Sequence, residues 1–249
     1  MRLALLALGV IGLLLVVASP RQPVVAQDVA AAGSAERGAE LYRVGCDTCH
    51  GADGEGIDPW PAIAGAGEAA ADFQLRTGRM PYTGEPGHQT QPKPPAYDEQ
   101  EIRDLVAFVG SLGEGPAIPD VRTDEALLQQ GYQLFAVNCA PCHGATARGG
   151  AVGGGAIAWP LGDVEPRTVG EAMLTGPGQM PVFDLGQESI AAVATYVDFL
   201  QDAGDPGGFE IGGIGPVPEG FVAWLVGMGL LIGVVYLVGR QWDRTGHRP

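Results

Sequence analysis

All four cysteines of this 249-residue sequence lie in two copies of one short pattern. The pattern reads Cys-Asp-Thr-Cys-His at residues 46–50 and Cys-Ala-Pro-Cys-His at residues 139–143. A Cys-x-x-Cys-His run is typical of c-type haem attachment, in which both thiols bond to the porphyrin and the adjoining histidine ligates the iron. We therefore predict two covalently bound haem c groups and a role in electron transfer. The predicted attachment residues are Cys46, Cys49, Cys139 and Cys142, and the iron ligands beside them are His50 and His143.

Paired cysteines also occur in zinc sites and in disulfides. Four cysteines would complete one tetrahedral zinc site or form two short disulfides. Neither arrangement requires a histidine directly after each pair, and the two pairs start 93 residues apart, far beyond the spacing within one zinc module. A thioredoxin-like redox pair would need a βαβ pattern, which the sequence does not show. The pattern therefore favours haem.

Two methionines occur in matching contexts downstream of the haem motifs. Met80 follows His50 by 30 residues within Gly-Arg-Met-Pro, and Met180 follows His143 by 37 residues within Gly-Gln-Met-Pro. The glycine allows the backbone to approach a flat ligand, and the proline keeps the methionine out of a helix. We expect both thioethers to be the second axial ligands of iron. Met173 is instead expected to fill a gap in the core, the commoner role of an apolar-stretch methionine.

The second nitrogen of each ligating imidazole needs a hydrogen-bond acceptor. The carbonyl groups of Pro61 and Pro160, which follow the two histidines by 11 and 17 residues, are candidates. Trp60 and Trp159 precede these prolines and either cover a haem edge or belong to the core. His88 is expected to be a solvated loop histidine. With both iron faces occupied, each site would carry electrons and leave no position for oxygen or substrate.

Hydrophobic segments at both ends indicate a membrane location. Residues 1–26, with an apolar run behind the single charge of Arg2, are predicted to be a signal peptide or an N-terminal hydrophobic anchor. Residues 221–239 carry no charge and are long enough to cross a bilayer of about 30 Å, with a buried core helix as the alternative. The positive-inside rule predicts a cytoplasmic C-terminus and extracytoplasmic haem domains, because three arginines follow this segment: Arg240, Arg244 and Arg248.

The segment between the hydrophobic ends is strongly acidic. Residues 22–219 contain nine Lys or Arg and 28 Asp or Glu, a formal net charge of −19. This charge argues against nucleic acid as a partner. It favours either basic partner surfaces or a generally solvated acidic surface.

The haem motifs belong to an internal repeat. Gly38 and Gly131 each stand eight residues before the first cysteine of a motif, and the aromatic residues Tyr42 and Phe135 stand four before it. Apolar spacing predicts a helix leading into each motif and an amphipathic helix closing each repeat. The predicted closing faces are Ile102, Leu105, Val106, Val109 and Leu112 in the first repeat and Ile190, Val193, Val197 and Leu200 in the second.

These patterns predict a mainly α fold, with two tandem cytochrome c-like haem domains followed by a single C-terminal transmembrane helix. Ser34 and Thr123 are predicted N-caps of the two approach helices. Since a domain of about 80 residues has a thin core, loss of haem is expected to unfold it. The predicted boundaries are residues 34–113 and 124–203 for the haem domains, 114–123 and 204–220 for linkers, 221–239 for the membrane helix and 240–249 for the tail.

The arrangement resembles the dihaem cytochrome c subunit of the actinobacterial cytochrome bc complex, the menaquinol–cytochrome c reductase. The resemblance covers roughly residues 34–242. The haem motifs are shared by many cytochromes. The first module contributes Gly-Arg-Met-Pro at residues 78–81. More specific are the stretch Met173–Phe183 of the second module and the glycine-rich linker at 205–220.

The resemblance implies the electron-transfer subunit of a quinol–cytochrome c reductase, with quinol chemistry in partner subunits and no catalytic residue in this chain. The implied partners are a cytochrome b subunit, a Rieske iron–sulfur subunit and a haem–copper oxidase. The first haem would receive an electron from the Rieske centre, and the second would pass it to the oxidase. The cysteines would hold the haems, and Met80 and Met180 would ligate iron opposite His50 and His143.

Other functions remain compatible with the residues alone. One is a dihaem electron-transfer subunit of a different membrane oxidase or dehydrogenase. Another is a haem enzyme or gas sensor with one open iron position, and a third is an assembly protein with redox-silent haems.

Overall fold

The computed structural model of the chain describes residues 32–85, 87–203 and 217–244. The fold is mainly helical, as predicted. The described residues of the first haem module form α1 (Ala35–Gly45), α2 (Asp47–His50), α3 (Gly67–Arg76) and α4 (Glu99–Ser111). Those of the second form α5 (Leu128–Asn138), α6 (Ala140–His143), strands β1 (Gly150–Gly153) and β2 (Ala156–Ala158), α7 (Pro166–Thr175) and α8 (Gln187–Asp202). The remaining described helix is α9 (Val217–Arg244).

Both modules are built around the same crossing of two helices. Helix α1 packs against α4, and α5 packs against α8. A Cβ atom at Gly38 would collide with the carbonyl group of Asp104 on α4, and one at Gly131 would collide with the carbonyl group of Ala192 on α8. The glycine eight residues before each motif therefore allows the approach helix to reach the backbone of the closing helix.

The predicted closing faces line two separate cores. Ile102 and Ile190 are both about 98% buried, and the last leucine of each face, Leu112 and Leu200, is partly buried. The first core contains Tyr42, Leu75, Ile102, Leu105 and Val106. The second contains Phe135, Cys139, Ala147, Val169, Met173, Ile190, Val193, Ala194 and Val197.

The approach helices begin differently in the two modules. Ser34 caps α1 as predicted, since its hydroxyl oxygen accepts a hydrogen bond from the Arg37 N–H. The prediction of Thr123 as the second N-cap was wrong by one residue. The Asp124 carboxylate accepts from the Ala126 N–H and starts a 3-10 turn at Glu125–Leu127, which runs into α5. A carboxylate is at least as good an N-cap as a threonine hydroxyl, so the adjacent residue takes the position.

A β-hairpin occurs in the second module, in a stretch rich in glycine and alanine. Strands β1 and β2 pair antiparallel, with Gly150 opposite Ala158 and an irregularity between Ala151 and Gly153. Little of the hairpin is buried, with Ala156 its one buried residue. Because it packs few apolar side chains, it leaves no alternating hydrophobic pattern from which it could be predicted.

The C-terminal helix α9 is long and apolar enough to cross a membrane, over Gly220–Trp242. It extends beyond the predicted span of residues 221–239 at both ends and includes the first five residues of the predicted tail. The predicted signal or anchor segment at residues 1–26 and most of the linker at 204–220 lie outside the described residues.

Candidate haem-attachment sites

Each haem motif forms a single helical turn directly after a longer helix. In the first module, Cys46 separates α1 from α2, and its carbonyl oxygen accepts hydrogen bonds from the Cys49 and His50 N–H groups at 3.1 and 2.9 Å. In the second module, the carbonyl oxygen of the first cysteine accepts the corresponding bonds at 3.1 and 2.8 Å. The turn brings two thiols and one imidazole into a single short segment, which is what attachment of one porphyrin requires.

Both motif histidines are oriented by a backbone carbonyl group from the following loop. The Nδ1 atom of His50 lies 2.9 Å from the carbonyl oxygen of Pro61, which is the acceptor predicted from the sequence. The Nδ1 atom of His143 lies 3.0 Å from the carbonyl oxygen of Trp159, so the prediction of Pro160 was wrong by one residue. With Nδ1 as the donor, Nε2 is the unprotonated nitrogen that can bind iron.

The protonation state of the His143 imidazole suits a metal ligand. Burial lowers the pKa of this imidazole from its ordinary value, and the hydrogen bond to Trp159 offsets part of that effect. The neutral imidazole, which is the form that ligates a metal, is therefore favoured at neutral pH.

The four cysteines are not arranged as a zinc site or as disulfides. All four have free thiols, and the described part of the chain contains no cluster of three or more His, Cys, Asp or Glu able to hold a metal ion. Burial is the main cause that raises the pKa of Cys46 and of Cys139 to about 11. The two cysteine pairs therefore lie in separate modules, with no disulfide and no cluster of metal ligands around either pair among the described residues.

The two candidate methionine ligands lie in loops directly after α3 and α7. Met80 and Met180 are partly buried and pack against the first and second core. The Met80 N–H donates to the Gln74 carbonyl at 3.1 Å, and the Met180 N–H donates to the Pro177 carbonyl at 3.2 Å. Their roles as axial ligands stay predictions. Met173 is 2% exposed and belongs to the second core, as expected of a packing residue.

The aromatic residue before each motif is fully buried in both modules. The Tyr42 hydroxyl donates a hydrogen bond to the Gly51 carbonyl at 2.8 Å and so fixes the chain just after His50. Burial raises the pKa of Tyr42 to about 12, which keeps the hydroxyl protonated as a donor. Phe135 takes the equivalent position in the second module and makes no such bond.

Two donors without a protein partner, a partly buried guanidinium and a buried indole N–H, fit the carboxylate groups of a haem. The Arg79 guanidinium lies 4.7 Å from the centre of the Phe73 ring, and no carboxylate in the described residues lies within ion-pair distance of it. Burial lowers the pKa of Arg79. The Trp159 indole N–H is also buried, and no hydrogen-bond acceptor for it occurs among the described residues.

These donors and the motif turns together fit one haem in each module. Neither donor role was predicted from the sequence. A signal existed for Arg79, which is one of few basic residues in an acidic segment and directly precedes Met80. Trp60, the tryptophan of the first module, makes an edge contact with Tyr82 at 6.0 Å between ring centres.

Two family matches divide the chain at the same place as the two modules. Residues 35–113 match the family described as Cytochrome c. Residues 126–197 match the family described as Cytochrome C oxidase, cbb3-type, subunit III. The two haem motifs, with their paired cysteines, lie in these two regions, so the chain carries two covalently bound haem c groups.

Two relatives that match more than four-fifths of this chain share one description. The cytochrome bc1 complex cytochrome c subunit of Mycobacterium tuberculosis is 38% identical over 252 residues, which cover 96% of this chain and 89% of the relative. The subunit of the same name from Corynebacterium diphtheriae is 34% identical and covers 83% of this chain and 80% of its own. The Cbb3-type cytochrome c oxidase subunit FixP of Sinorhizobium medicae is 29% identical over a match that covers 66% of this chain and 59% of the relative. The chain therefore belongs to the family of cytochrome bc1 complex cytochrome c subunits, which are dihaem c-type cytochromes.

Proposed function

We propose that this chain carries electrons out of a membrane bc complex that oxidises menaquinol, and delivers them to a haem–copper oxidase. Electrons enter at the first module from a Rieske iron–sulfur subunit and leave from the second module. Quinol oxidation belongs to the cytochrome b and Rieske subunits, so this chain takes part in the reductase as its electron-transfer subunit. The family supports assembly with other subunits of such a complex, because relatives of 34–38% identity that cover most of this chain carry that description.

The residues of the chain hold, orient and enclose each haem. Haem iron supplies a one-electron couple when bound. The cysteines of each motif hold the group covalently, and the carbonyl groups of Pro61 and Trp159 fix the orientation of His50 and His143. Met80 and Met180 would supply the second ligand of each haem iron, which would suit electron transfer because no position would be left for a substrate.

The observation that carries the proposal is the repetition of one complete site. Each module places a motif turn beneath a loop carbonyl group that orients its histidine, and each follows with a methionine loop packed on its core. Two such sites in one chain provide an entry and an exit for electrons without a diffusing carrier.

The subunit composition of the gently solubilised membrane protein tests this proposal. We expect the chain to co-purify with a cytochrome b and a Rieske protein, and the complex to reduce the oxidase when menaquinol is added. The match of the second module to a cbb3-type subunit favours one alternative, a subunit of a terminal oxidase. Co-purification with an oxidase core alone would support that alternative.

The open-iron alternative predicts a different result. Carbon monoxide should bind neither haem of the reduced protein if Met80 and Met180 occupy the sixth positions. Rapid stoichiometric binding at either haem would instead support a haem enzyme or gas sensor.

We also propose that both haem modules face the outside of the cell membrane and that the C-terminus is cytoplasmic. Arg240 and Arg244 at the end of α9 support this orientation through the positive-inside rule. A green fluorescent protein fused to the C-terminus should fluoresce, because it folds in the cytoplasm. A dark but intact fusion would reverse the orientation.

A further inference from the structure

The two haem modules meet through helices α3 and α7. Each of these helices leads directly into the loop that carries a candidate methionine ligand, Met80 after α3 and Met180 after α7. The contact between the helices therefore lies between the two haem sites. Its geometry sets how the sites face each other.

Two carboxyl groups are fully buried at this contact. Asp72 on α3 is 1% exposed, and Glu171 on α7 is 0% exposed. Arg76 donates from Nε to both Asp72 oxygens, at 2.9 and 2.8 Å. The Nε atom of Arg167 on α7 lies 3.6 Å from Asp72 and 3.7 Å from Glu171, so it bridges the modules at longer range.

The charges around this contact do not balance. Arg76 also pairs with Glu99 on α4 at 2.6 Å, Arg103 on α4 lies 3.5 Å from the same carboxylate, and Arg167 lies 3.9 Å from Glu165. Three arginines therefore face four acidic groups, drawn from α3, α4 and the segment at the start of and along α7. The excess charge falls on the residue with the poorest contacts, since neither Glu171 oxygen has a hydrogen-bond partner in the described residues.

An ionised carboxylate in such a place would be strongly unfavourable, because burial removes its hydration without an equivalent partner. A proton on Glu171 removes the excess charge and supplies a donor toward Asp72. Burial first, and the neighbouring Asp72 second, raise the pKa of Glu171 to about 9. Both the geometry and the charge balance therefore indicate a protonated Glu171 at neutral pH.

We propose that Asp72 and Glu171 form an acid pair with one shared proton, which holds the two haem modules together and positions their sites for electron exchange. The Glu171 O–H donates to the Asp72 carboxylate, and at alkaline pH the proton leaves to solvent without any redox change. The two buried carboxylates then repel each other across the contact. This inference rests on the proposed electron-transfer role of the chain.

A second contact between the modules does not depend on pH. The Gln89 side chain donates from Nε2 to the Ile157 carbonyl at 2.8 Å and accepts from the Ile157 N–H at 3.0 Å. This amide joins the loop after Met80 to strand β2 of the second module. Alkaline pH should therefore loosen the α3–α7 contact while leaving the Gln89 contact in place.

The pH dependence of electron exchange between the haems tests the proposal. In the purified full-length chain with both haems attached, one haem is reduced by a laser flash and equilibration with the other is followed by absorbance. We expect the rate to fall several-fold from about pH 7 to about pH 10. Glu171→Gln keeps the shape and a donor toward Asp72, so its rate should stay high and flat with pH.

Glu165→Gln is the matched control. Glu165 contacts the same Arg167, but its side chain is 76% exposed, so this variant should keep the alkaline fall of the natural chain. If a change of iron ligand at high pH caused the fall in rate, the fall would also occur in Glu171→Gln. A flat rate in this variant therefore assigns the fall to the acid pair. A flat rate in the natural chain, or an unchanged alkaline fall in Glu171→Gln, would overturn the proposal.

Infrared spectroscopy of the natural chain gives a readout that needs no variant to fold. A protonated buried carboxyl group should give a C=O stretching band at neutral pH that disappears as the pH rises past about 9. Absence of this band at neutral pH would also overturn the proposal. Both measurements are made on the chain alone, so a failure of the acid pair is distinguishable from a failure to assemble with a bc complex.

Discussion

The two haem modules are alike in the attachment motif and the backbone contacts that support it, and different in several of the residues around it. Both use a motif turn, a carbonyl-bound histidine and a glycine-mediated helix crossing. They differ in the acceptor spacing, because Pro61 lies 11 residues after its histidine and Trp159 lies 16 after its own. The first module also has Tyr42 and Arg79 where the second has Phe135 and Gln179. The comparison indicates that attachment constrains a few backbone positions, whereas the surroundings are free to give each haem its own properties.

Of all the changes considered, loss of covalent haem attachment in one module should make the two modules differ most. Replacing Cys46 and Cys49 with serine should remove one haem and unfold the first module, because a small core depends on its cofactor. The matched pair Cys139→Ser and Cys142→Ser should do the same to the second module. Intact mass and module-resolved hydrogen exchange measure both effects. Equal loss of protection in both modules after either change would contradict their separate dependence on haem.

Loss of a methionine should change one haem without unfolding its module. Met80→Ala and Met180→Ala should each lower the potential of one haem and open its iron to carbon monoxide, since the thioether stabilises the reduced state. A redox titration followed by absorbance, with and without carbon monoxide, gives both results. Met173→Leu is the control and should leave both spectra unchanged, because Met173 packs in the core. An unchanged spectrum in Met80→Ala would remove that residue from the ligand set.

Exchange of the residues before the two methionines should shift the potentials in opposite directions. Arg79→Gln removes a partly buried cation that fits a haem carboxylate, so it should lower the potential of the first haem. An effect of about tenfold on the reduction equilibrium corresponds to about 59 mV for a one-electron couple. Gln179→Arg should raise the potential of the second haem. If a spectroelectrochemical titration of Arg79→Gln shows no change in the reduction potential of either haem, Arg79 does not contact haem.

Exchange of the buried aromatic residues should have the smallest effect. Tyr42→Phe removes the hydrogen bond to Gly51 and leaves a buried carbonyl group without its donor, which should lower the stability of the first module by about 1–2 kcal/mol. Phe135→Tyr is the reciprocal variant and should raise the stability of the second module, because the Gly144 carbonyl group follows His143 with nearly the same backbone conformation as Gly51 after His50. Chemical denaturation of each variant, followed through its haem absorbance, measures the change. Equal effects in Tyr42→Phe and a surface control such as Tyr132→Phe would exclude a specific role of the hydroxyl.

The dependence of folding stability on pH provides a separate test of the contact between the modules. Because the pKa of Glu171 is raised from its ordinary 4.5 to about 9 in the folded chain, the folded state holds a proton that the unfolded state releases. The stability that this group contributes is complete below about pH 4.5 and is lost as the pH rises through about 9. Glu171→Gln should flatten this dependence in thermal unfolding of the holo chain, whereas a slope as steep as in the natural chain would assign it to other groups.

Local patterns in the sequence predicted the parts of the fold that depend on local physics. The haem motifs, the closing helices and the histidine acceptor at Pro61 follow from fixed spacing or from a 3.6-residue apolar repeat. Ser34 was predicted for the same reason, since capping involves only the neighbouring backbone. The predictions of Thr123 as an N-cap and of Pro160 as the acceptor were each wrong by one residue, because adjacent groups of similar chemistry compete for one hydrogen bond.

Contacts between distant segments could not be predicted in this way. Asp72 and Glu171 are 99 positions apart, and nothing near either residue indicates that α3 and α7 bury them together. The same holds for the Gln89 contact with Ile157 and for the largely exposed hairpin that receives it. These features depend on how the two modules pack against each other, and such packing leaves no periodic pattern in the sequence.

The number of haem groups bound to the denatured chain tests the central claim most directly. The intact mass of the purified, unfolded polypeptide should exceed that of the bare chain by two haem groups, which resist acid-acetone extraction because each is held by two thioether bonds. A bare chain, or one that retains a single haem, would contradict the assignment of two covalent sites that carry electrons through this protein.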